Sequence, residues 1–150
     1  PVELIKQSIS GSPHPPLAFL LIKLSTTLFG HAESGLRMLC AVASAFASVP
    51  LMYFLKRKIN LTSALWVGII WSVYPYAVSL GQEAYLFAAV SFLGFLFIDI
   101  ADRAWNGSSI ALYLLVPVAL TGMLMDYMFG FFLLAGTGLY FAIPLEHRNS

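Results

Sequence analysis

Six polar side chains lie near the ends of long apolar stretches: His14, Glu33, Arg37, Gln82, Glu83 and Asp126. Burying polar groups in lipid is costly unless water or partner groups satisfy them. Polar side chains grouped at one membrane depth are therefore candidates for a functional site. Helix ends also carry charged residues simply because they are solvated. Composition alone leaves both interpretations open.

The composition excludes a soluble globular protein. Of 150 residues, 59% are apolar and 10% are charged, whereas about 25% charged residues are usual in soluble domains. The mean hydropathy is +0.83, so most apolar side chains must face lipid rather than one small core. A net charge of +1 with scattered Lys and Arg provides no basic face for nucleic acid. The single cysteine, Cys40, excludes a disulfide framework within the chain.

Long apolar windows predict an all-α membrane protein with about five transmembrane helices plus an amphipathic interfacial helix, because a span needs about 20 apolar residues. The span 84–102 requires Asp99 and Asp102 at the membrane edge, where they reach water and Asp99 pairs with Arg103 at i,i+4. Pro75 is interpreted as a tolerated kink within its span. The predicted spans are 35–55, 62–81, 84–102, 107–125 and 127–145.

A shorter segment, 15–29, cannot span a membrane and carries Lys23 near its centre. Lys23, Thr26 and Thr27 share one helical face, and leucines occupy the other, which favours a helix lying in the membrane interface. We therefore assign residues 1–34 to a loop with an interfacial helix at 15–29, within one membrane-embedded helical region that covers 1–150.

Lys56, Arg57 and Lys58 form the only basic cluster of the chain. Short basic loops stay on the cytoplasmic side, so this loop is predicted to be cytoplasmic. Counting spans outward then places residues 1–37, the turn at 81–83 and Asp126 on the extracytoplasmic side.

Several short motifs occur in a fixed order along the first 90 residues. They are His14-Pro15-Pro16-Leu17, Leu28-Phe29-Gly30, Leu36-Arg37, Tyr74-Pro75 and Gly81-Gln82-Glu83-Ala84. In order and spacing they resemble the polytopic lipid-dependent glycosyltransferases of the GT-C class, the superfamily of protein O-mannosyltransferases and aminoarabinose transferases. The remainder resembles that family only as hydrophobic helices, and the chain looks like an internal fragment of such an enzyme.

The resemblance implies transfer of a sugar from a polyprenyl or dolichyl phosphate donor to a protein, lipid or glycan acceptor. The reaction would take place on the extracytoplasmic side of the plasma membrane or endoplasmic reticulum. A carboxylate base would take the acceptor proton while the lipid phosphate leaves as an anion. The resemblance assigns His14, Arg37, Gln82 and Glu83 to the donor-phosphate pocket. His14 and Glu83 are also candidate ligands for a divalent metal, and no other cofactor is implied.

Two departures from the family pattern affect this assignment. Tyr85 and Phe87 stand where the family has Arg and Tyr, so a cation expected to face the lipid phosphate is absent. The family's catalytic carboxylate lies upstream of the His-Pro-Pro motif, where the only acidic residue here is Glu3, to which we do not transfer the role. We therefore expect no catalytic residue within this chain, and no activity from this fragment alone.

Two other classes of function stay open. A transporter or channel element is usually marked by intramembrane charge, whereas the charges here lie at span ends. A non-catalytic assembly subunit would pack through small residues, for which Gly130, Ala135 and Gly138 offer mild support. Binding of a lipid-linked sugar donor would distinguish the transferase from both.

Overall fold

The computed structural model describes residues 16–30, 33–82 and 87–142, and within them the chain is helical without β-strands. The all-α class predicted from the sequence is confirmed over these residues. His14, Glu83 and the last residues of the predicted span 127–145 lie outside the described residues. In chain order the helices are α1 (Pro16–Phe29), α2 (Glu33–Lys58), α3 (Leu61–Val73), α4 (Pro75–Gln82), α5 (Phe87–Trp105), α6 (Ser109–Met125) and α7 (Met128–Ala142).

Short capped connections separate consecutive helices. Asn60 precedes α3, and its side chain accepts a 2.7 Å hydrogen bond from the Ser63 amide, which satisfies one of the free amides of the first turn. Gly107, the second residue after α5, adopts a φ of +89°, a left-handed conformation that glycine adopts without steric cost. The chain therefore reverses between α5 and α6 within three residues.

The predicted span 62–81 consists of two helices, α3 and α4, bent by 55° relative to each other. The bend lies at Tyr74, whose backbone is extended with φ −67° and ψ 120°. Pro75 causes it, because proline lacks an amide hydrogen and its ring disfavours helical backbone at the preceding residue. The Ser44 hydroxyl of α2 donates a 2.6 Å hydrogen bond to the Ala77 carbonyl, and the Trp71 indole donates at 3.2 Å to the Ser44 carbonyl. Helix α2 thus holds both sides of the bend.

Helix α2 is the centre of the bundle and contacts α1, α3, α4 and α5, while α6 contacts α5, α7 and α1. The core cluster joins Ala18 of α1, Cys40 of α2 and Met125 of α6, and Ala89 and Leu93 near the start of α5 pack against it. Helix α1 therefore packs at the end of the bundle where α2 and α5 begin and α6 ends.

Small residues form the buried face of α1. Ala18 and Ser25 are buried, whereas Leu24 and Leu28 are exposed. The Ser25 hydroxyl donates a 2.6 Å hydrogen bond to the Gly35 carbonyl of α2, which ties the two helices together. Small residues on this face allow α1 to pack closely against α2.

The prediction of five spans is not confirmed. Among the described residues, one helix, Arg37–Lys58, is long and apolar enough to cross a membrane. A second crossing is present if the bent pair α3–α4 forms one broken span, and α6 is apolar but shorter. Charged residues near the C-terminal end of α5 lower its apolar character.

Candidate functional site

The end of the bundle that carries α1 also gathers the described candidate residues. Arg37 lies at the start of α2, Gln82 ends α4, and Asp126 follows α6. Packing of α1 against Cys40 and Met125 brings the first part of α2 and the end of α6 together. We call this region the α1 end of the bundle.

Arg37 forms an ion pair with Glu33 at 2.6 Å, one turn earlier on α2. The two side chains are 44% and 74% exposed, so the pair is a surface pair that contributes well under about 1 kcal/mol. A bound anion could therefore take the guanidinium from Glu33 at small cost. Arginine is suited to this role because its planar fork binds phosphate oxygens in pairs.

Gln82 is exposed at the last position of α4. The preceding residue, Gly81, is buried against α2, and a Cβ at that position would lie 3.1 Å from Ser44 Cβ and 3.6 Å from Ala41 Cα. Ala41 lies one helical turn, about 6 Å, beyond Arg37. The glycine thus lets the end of α4 approach the first half of α2, the half that carries Arg37.

His14 and Glu83 lie outside the described residues, so the structure does not test their grouping with Arg37 and Gln82. His14 precedes α1 by two positions, and Glu83 follows Gln82 directly in the sequence. No cluster of three or more His, Cys, Asp or Glu that could hold a metal occurs in the part of the chain that the structure describes. Metal binding by His14 and Glu83 stays a prediction.

Asp126 is buried, with 8% of its surface exposed. One carboxylate oxygen accepts a 2.8 Å hydrogen bond from the Met128 amide, and the Asp126 carbonyl accepts at 3.1 Å from the Phe129 amide. This arrangement caps the N-terminus of α7. Asp126 therefore forms the hairpin between α6 and α7 rather than a solvated helix end.

Charged residues also form a cluster at the opposite end of the bundle, where α2 and α5 end. Arg57 contacts Asp99 at 2.6 Å and Asp102 at 3.1 Å. Lys58 contacts Asp102 at 2.7 Å, and the predicted pair between Arg103 and Asp99 is confirmed at 2.8 Å. We call these five residues the ion cluster.

The expectation that Asp99 and Asp102 reach water is wrong. Their side chains are only 5% and 12% exposed, because Arg57 and Lys58 of α2 and Arg103 of α5 cover them. In the sequence the two groups stand apart, as a basic loop and as acidic residues near the end of another predicted span. The predicted span order runs α2 and α5 in the same direction, so their charged ends lie at the same membrane face, but the contact between the two helices is a feature of the tertiary fold.

The described fold is an all-helical bundle whose outer faces on α3, α6 and α7 expose large apolar side chains, among them Trp66, Tyr113 and Phe131. Such faces are typical of integral membrane proteins. Residues 13–150 match the family model of the dolichyl-phosphate-mannose-protein mannosyltransferases, and the chain belongs to this family of membrane-integral glycosyltransferases. The match covers more of the chain than the motifs within the first 90 residues. Comparison with curated proteins finds no match, and comparison with solved structures finds none.

Proposed function

We propose that this chain forms part of a glycosyltransferase that transfers a sugar from a dolichyl or polyprenyl phosphate to an acceptor. The observation that carries the proposal is the family match over residues 13–150, whose name specifies a dolichyl-phosphate-mannose donor and a protein acceptor. Mannose and a protein hydroxyl are accordingly the first donor sugar and acceptor to test.

Arg37 is the described cation best suited to stabilise the leaving lipid phosphate. It lies at the α1 end of the bundle, it is 44% exposed, and its partner Glu33 holds it only in a surface pair. A leaving phosphate is already an anion, so it needs cationic and hydrogen-bond stabilisation rather than an acid. Arg37 would supply the charge, and the exposed amide of Gln82 would supply a hydrogen bond.

Helix α1 would form one wall of the donor entrance. Its buried face packs on α2 and α6, whereas Leu24 and Leu28 are 51% and 66% exposed. The exposed Lys23 and Thr27 lie on the same helix. A helix with leucines toward the acyl chains and a lysine toward the headgroups is suited to lie in the interface. Donors with long isoprenoid tails arrive from the bilayer, so this wall would stand beside their path.

The site would face the extracytoplasmic side of the plasma membrane or endoplasmic reticulum. Lys56, Arg57 and Lys58 lie at the opposite end of α2 from Arg37, and basic residues at span ends favour the cytoplasm. If α2 crosses the membrane, Arg37 and Lys56 are therefore on opposite sides.

We assign His14 and Glu83 to the same pocket as contacts to the donor phosphate or to a divalent metal. The support is their position in sequence beside α1 and Gln82. The test is transfer of radiolabelled mannose from dolichyl phosphate mannose to an acceptor peptide by the membrane-embedded full-length enzyme of which this chain is a part. His14→Ala and Glu83→Gln should each lower the rate by about tenfold, the effect of losing one hydrogen bond to a charged group.

The matched control is Ser72→Ala, because Ser72 is exposed and its hydroxyl bonds only to carbonyls of its own helix. This variant should transfer at the wild-type rate. Full transfer by both His14→Ala and Glu83→Gln at normal membrane levels would remove these two residues from the site. Absence of any transfer by the wild-type full-length enzyme, with its donor bound, would argue against the reaction itself.

A further inference from the structure

A cleft of about 300 Å³ lies between α5 and the first turns of α7, with Asp126 of the preceding turn at its edge. On α5 its lining includes Phe87, Val90, Gly94 and Ile98, which are spaced three or four residues apart and so share one face of the helix. From Phe87 to Ile98 this face extends about 16 Å along the helix axis. The cleft is therefore elongated and mostly apolar, as a hydrocarbon chain requires.

The opposite wall is aromatic and fixed in position. Phe129 is 2% exposed and contacts Phe97 edge-on, with ring centroids 6.4 Å apart. Its ring rests directly on Gly122, where a side chain of any size would collide with it. On the α5 side, a Cβ at Gly94 would come no closer than 3.9 Å to Phe129. Glycine at position 94 thus keeps the cleft open, while Phe129 gives it a rigid wall.

Asp126 provides the polar group of the cleft. Its side chain lines the cavity and is more than nine-tenths buried. One carboxylate oxygen accepts the hydrogen bond from the Met128 amide, and in the described part of the chain no other group donates to this carboxylate. A carboxylate has about four acceptor positions, and leaving them unsatisfied when buried is costly.

The position of Asp126 sets the direction of a bound molecule. Asp126 follows Met125 of the core cluster, and so lies at the α1 end of the bundle, where α5 begins. A head group bound by Asp126 would lie at that end, and its chain would extend from Phe87 toward Ile98. A phosphate head would be repelled by the carboxylate, whereas a hydroxyl or ammonium head would donate to it.

We propose that this cleft binds a single-chain amphiphile whose hydrocarbon chain lies along α5 and whose hydroxyl or ammonium head donates a hydrogen bond to Asp126. The lining of the cleft includes neither Arg37 nor Gln82, and the proposal does not depend on the transferase activity. The shared chemistry is an apolar chain ending in a hydrogen-bond donor, which a long-chain alcohol and a long-chain amine both supply.

Photocrosslinking with three dodecyl probes tests the proposal. Each probe carries a diazirine on its chain, and the heads are hydroxyl, ammonium and phosphate. The protein is placed in nanodiscs of zwitterionic lipid, and mass spectrometry measures labelling of the peptides that contain α5 and α7. The alcohol or the amine should label these helices about tenfold more than the phosphate, as expected for one charge-assisted hydrogen bond. The stronger of the two identifies the head group.

Two variants locate the binding. Gly94→Leu fills the cleft and should abolish labelling of α5 and α7 by every probe. Asp126→Asn keeps an acceptor for the Met128 amide but removes the negative charge. In this variant the ammonium probe should label α5 and α7 no more strongly than the phosphate probe. The control is Val116→Leu, on the exposed face of α6. The probes should label this variant to the same extent as the wild type.

Equal labelling by the probes with the three heads would overturn the proposal. Strong labelling of Gly94→Leu would also overturn it, provided that an unchanged circular dichroism spectrum shows the variant to be folded. A lack of labelling by all three probes would show that another part of the protein covers the cleft, and would also overturn it. If Asp126→Asn fails to fold, labelling of the wild-type and Gly94→Leu proteins by the three probes still tests the proposal.

Discussion

Arg57 Nη1 lies 2.6 Å from Asp99 Oδ1, and the contact joins the last turn of α2 to α5 across 42 positions of sequence. The Asp99 side chain is 5% exposed, whereas that of Arg57 is 34% exposed. The guanidinium therefore covers the carboxylate and shields it from its surroundings. With Arg103 on its other oxygen, Asp99 has cations on both sides, which allows a charged residue to be buried where two apolar helices meet.

We expect Arg57→Gln to lower the free energy of unfolding by about 2 kcal/mol, because it leaves a buried carboxylate with one cation instead of two. Thermal unfolding in detergent measures the change. A double-mutant cycle with Asp99→Asn should give a coupling energy of at least about 0.5 kcal/mol.

Lys56→Gln is the matched control, since Lys56 is exposed on the same turn of α2. It should change the free energy of unfolding by less than about 0.5 kcal/mol. If Arg57→Gln and Lys56→Gln have equal effects, the ion cluster does not hold α2 and α5 together.

Gly122 and Gly130 offer a matched pair of glycines in the α6–α7 hairpin. A Cβ at Gly122 would collide with the ring of Phe129, whereas a Cβ at Gly130 would meet Met123 Cε at an ordinary 3.5 Å. We expect Gly122→Ala to lower the melting temperature by overpacking, at a cost of about 1 to 3 kcal/mol, and Gly130→Ala to be tolerated. Adding Phe129→Leu to Gly122→Ala should recover part of the loss. Equal tolerance of both alanines would contradict the packing described here.

Ser44 should be needed to fix the bend between α3 and α4. Ser44→Ala removes the 2.6 Å hydrogen bond to the Ala77 carbonyl, and we expect it to lower the free energy of unfolding by about 1 kcal/mol. Pulsed electron paramagnetic resonance between spin labels at the exposed positions Leu61 and Tyr76 should give a broader distance distribution in Ser44→Ala than in the wild type. A distribution as narrow as in wild type would show that Pro75 alone sets the bend.

Local patterns in the sequence were sufficient to predict that the chain is helical. Apolar windows without charge demand internal backbone hydrogen bonds, and Pro16, Gly30 and Asn60 are typical of helix ends. The pairing of Asp99 with Arg103 was also predictable, because residues four apart on a helix are neighbours. Family membership followed from ordered motifs, and the family match over residues 13–150 supports it.

Contacts between distant segments could not be read from one sequence. The Arg57–Asp99 pair depends on α2 and α5 ending at the same level, and the bend at Tyr74 depends on how Pro75 is accommodated beside Ser44. The cleft beside Asp126 arises from the fit of Phe129 onto Gly122, which no local pattern reveals. The grouping of Arg37 and Gln82 with His14 and Glu83 stays a prediction.

Cysteine labelling tests the orientation. In a Cys40→Ala background, Lys56→Cys should be shielded from an impermeant thiol reagent in intact cells, because positive residues favour the cytoplasmic side. Gly11→Cys and Gln82→Cys should both be labelled, and permeabilised cells provide the control for reactivity at position 56. Reversed labelling would place Arg37 in the cytoplasm and exclude an extracytoplasmic site.

The most direct test of the central claim is the rate of mannose transfer from dolichyl phosphate mannose by Arg37 variants of the full-length enzyme. Arg37→Gln should lower the rate by about tenfold or more, since it removes the cation that we propose to stabilise the leaving phosphate. Arg37→Lys keeps a positive charge and should retain part of the rate. Glu33→Gln, which frees the guanidinium from its 2.6 Å ion pair, should transfer at least as fast as wild type. Wild-type rates for Arg37→Gln at normal membrane levels would contradict the account.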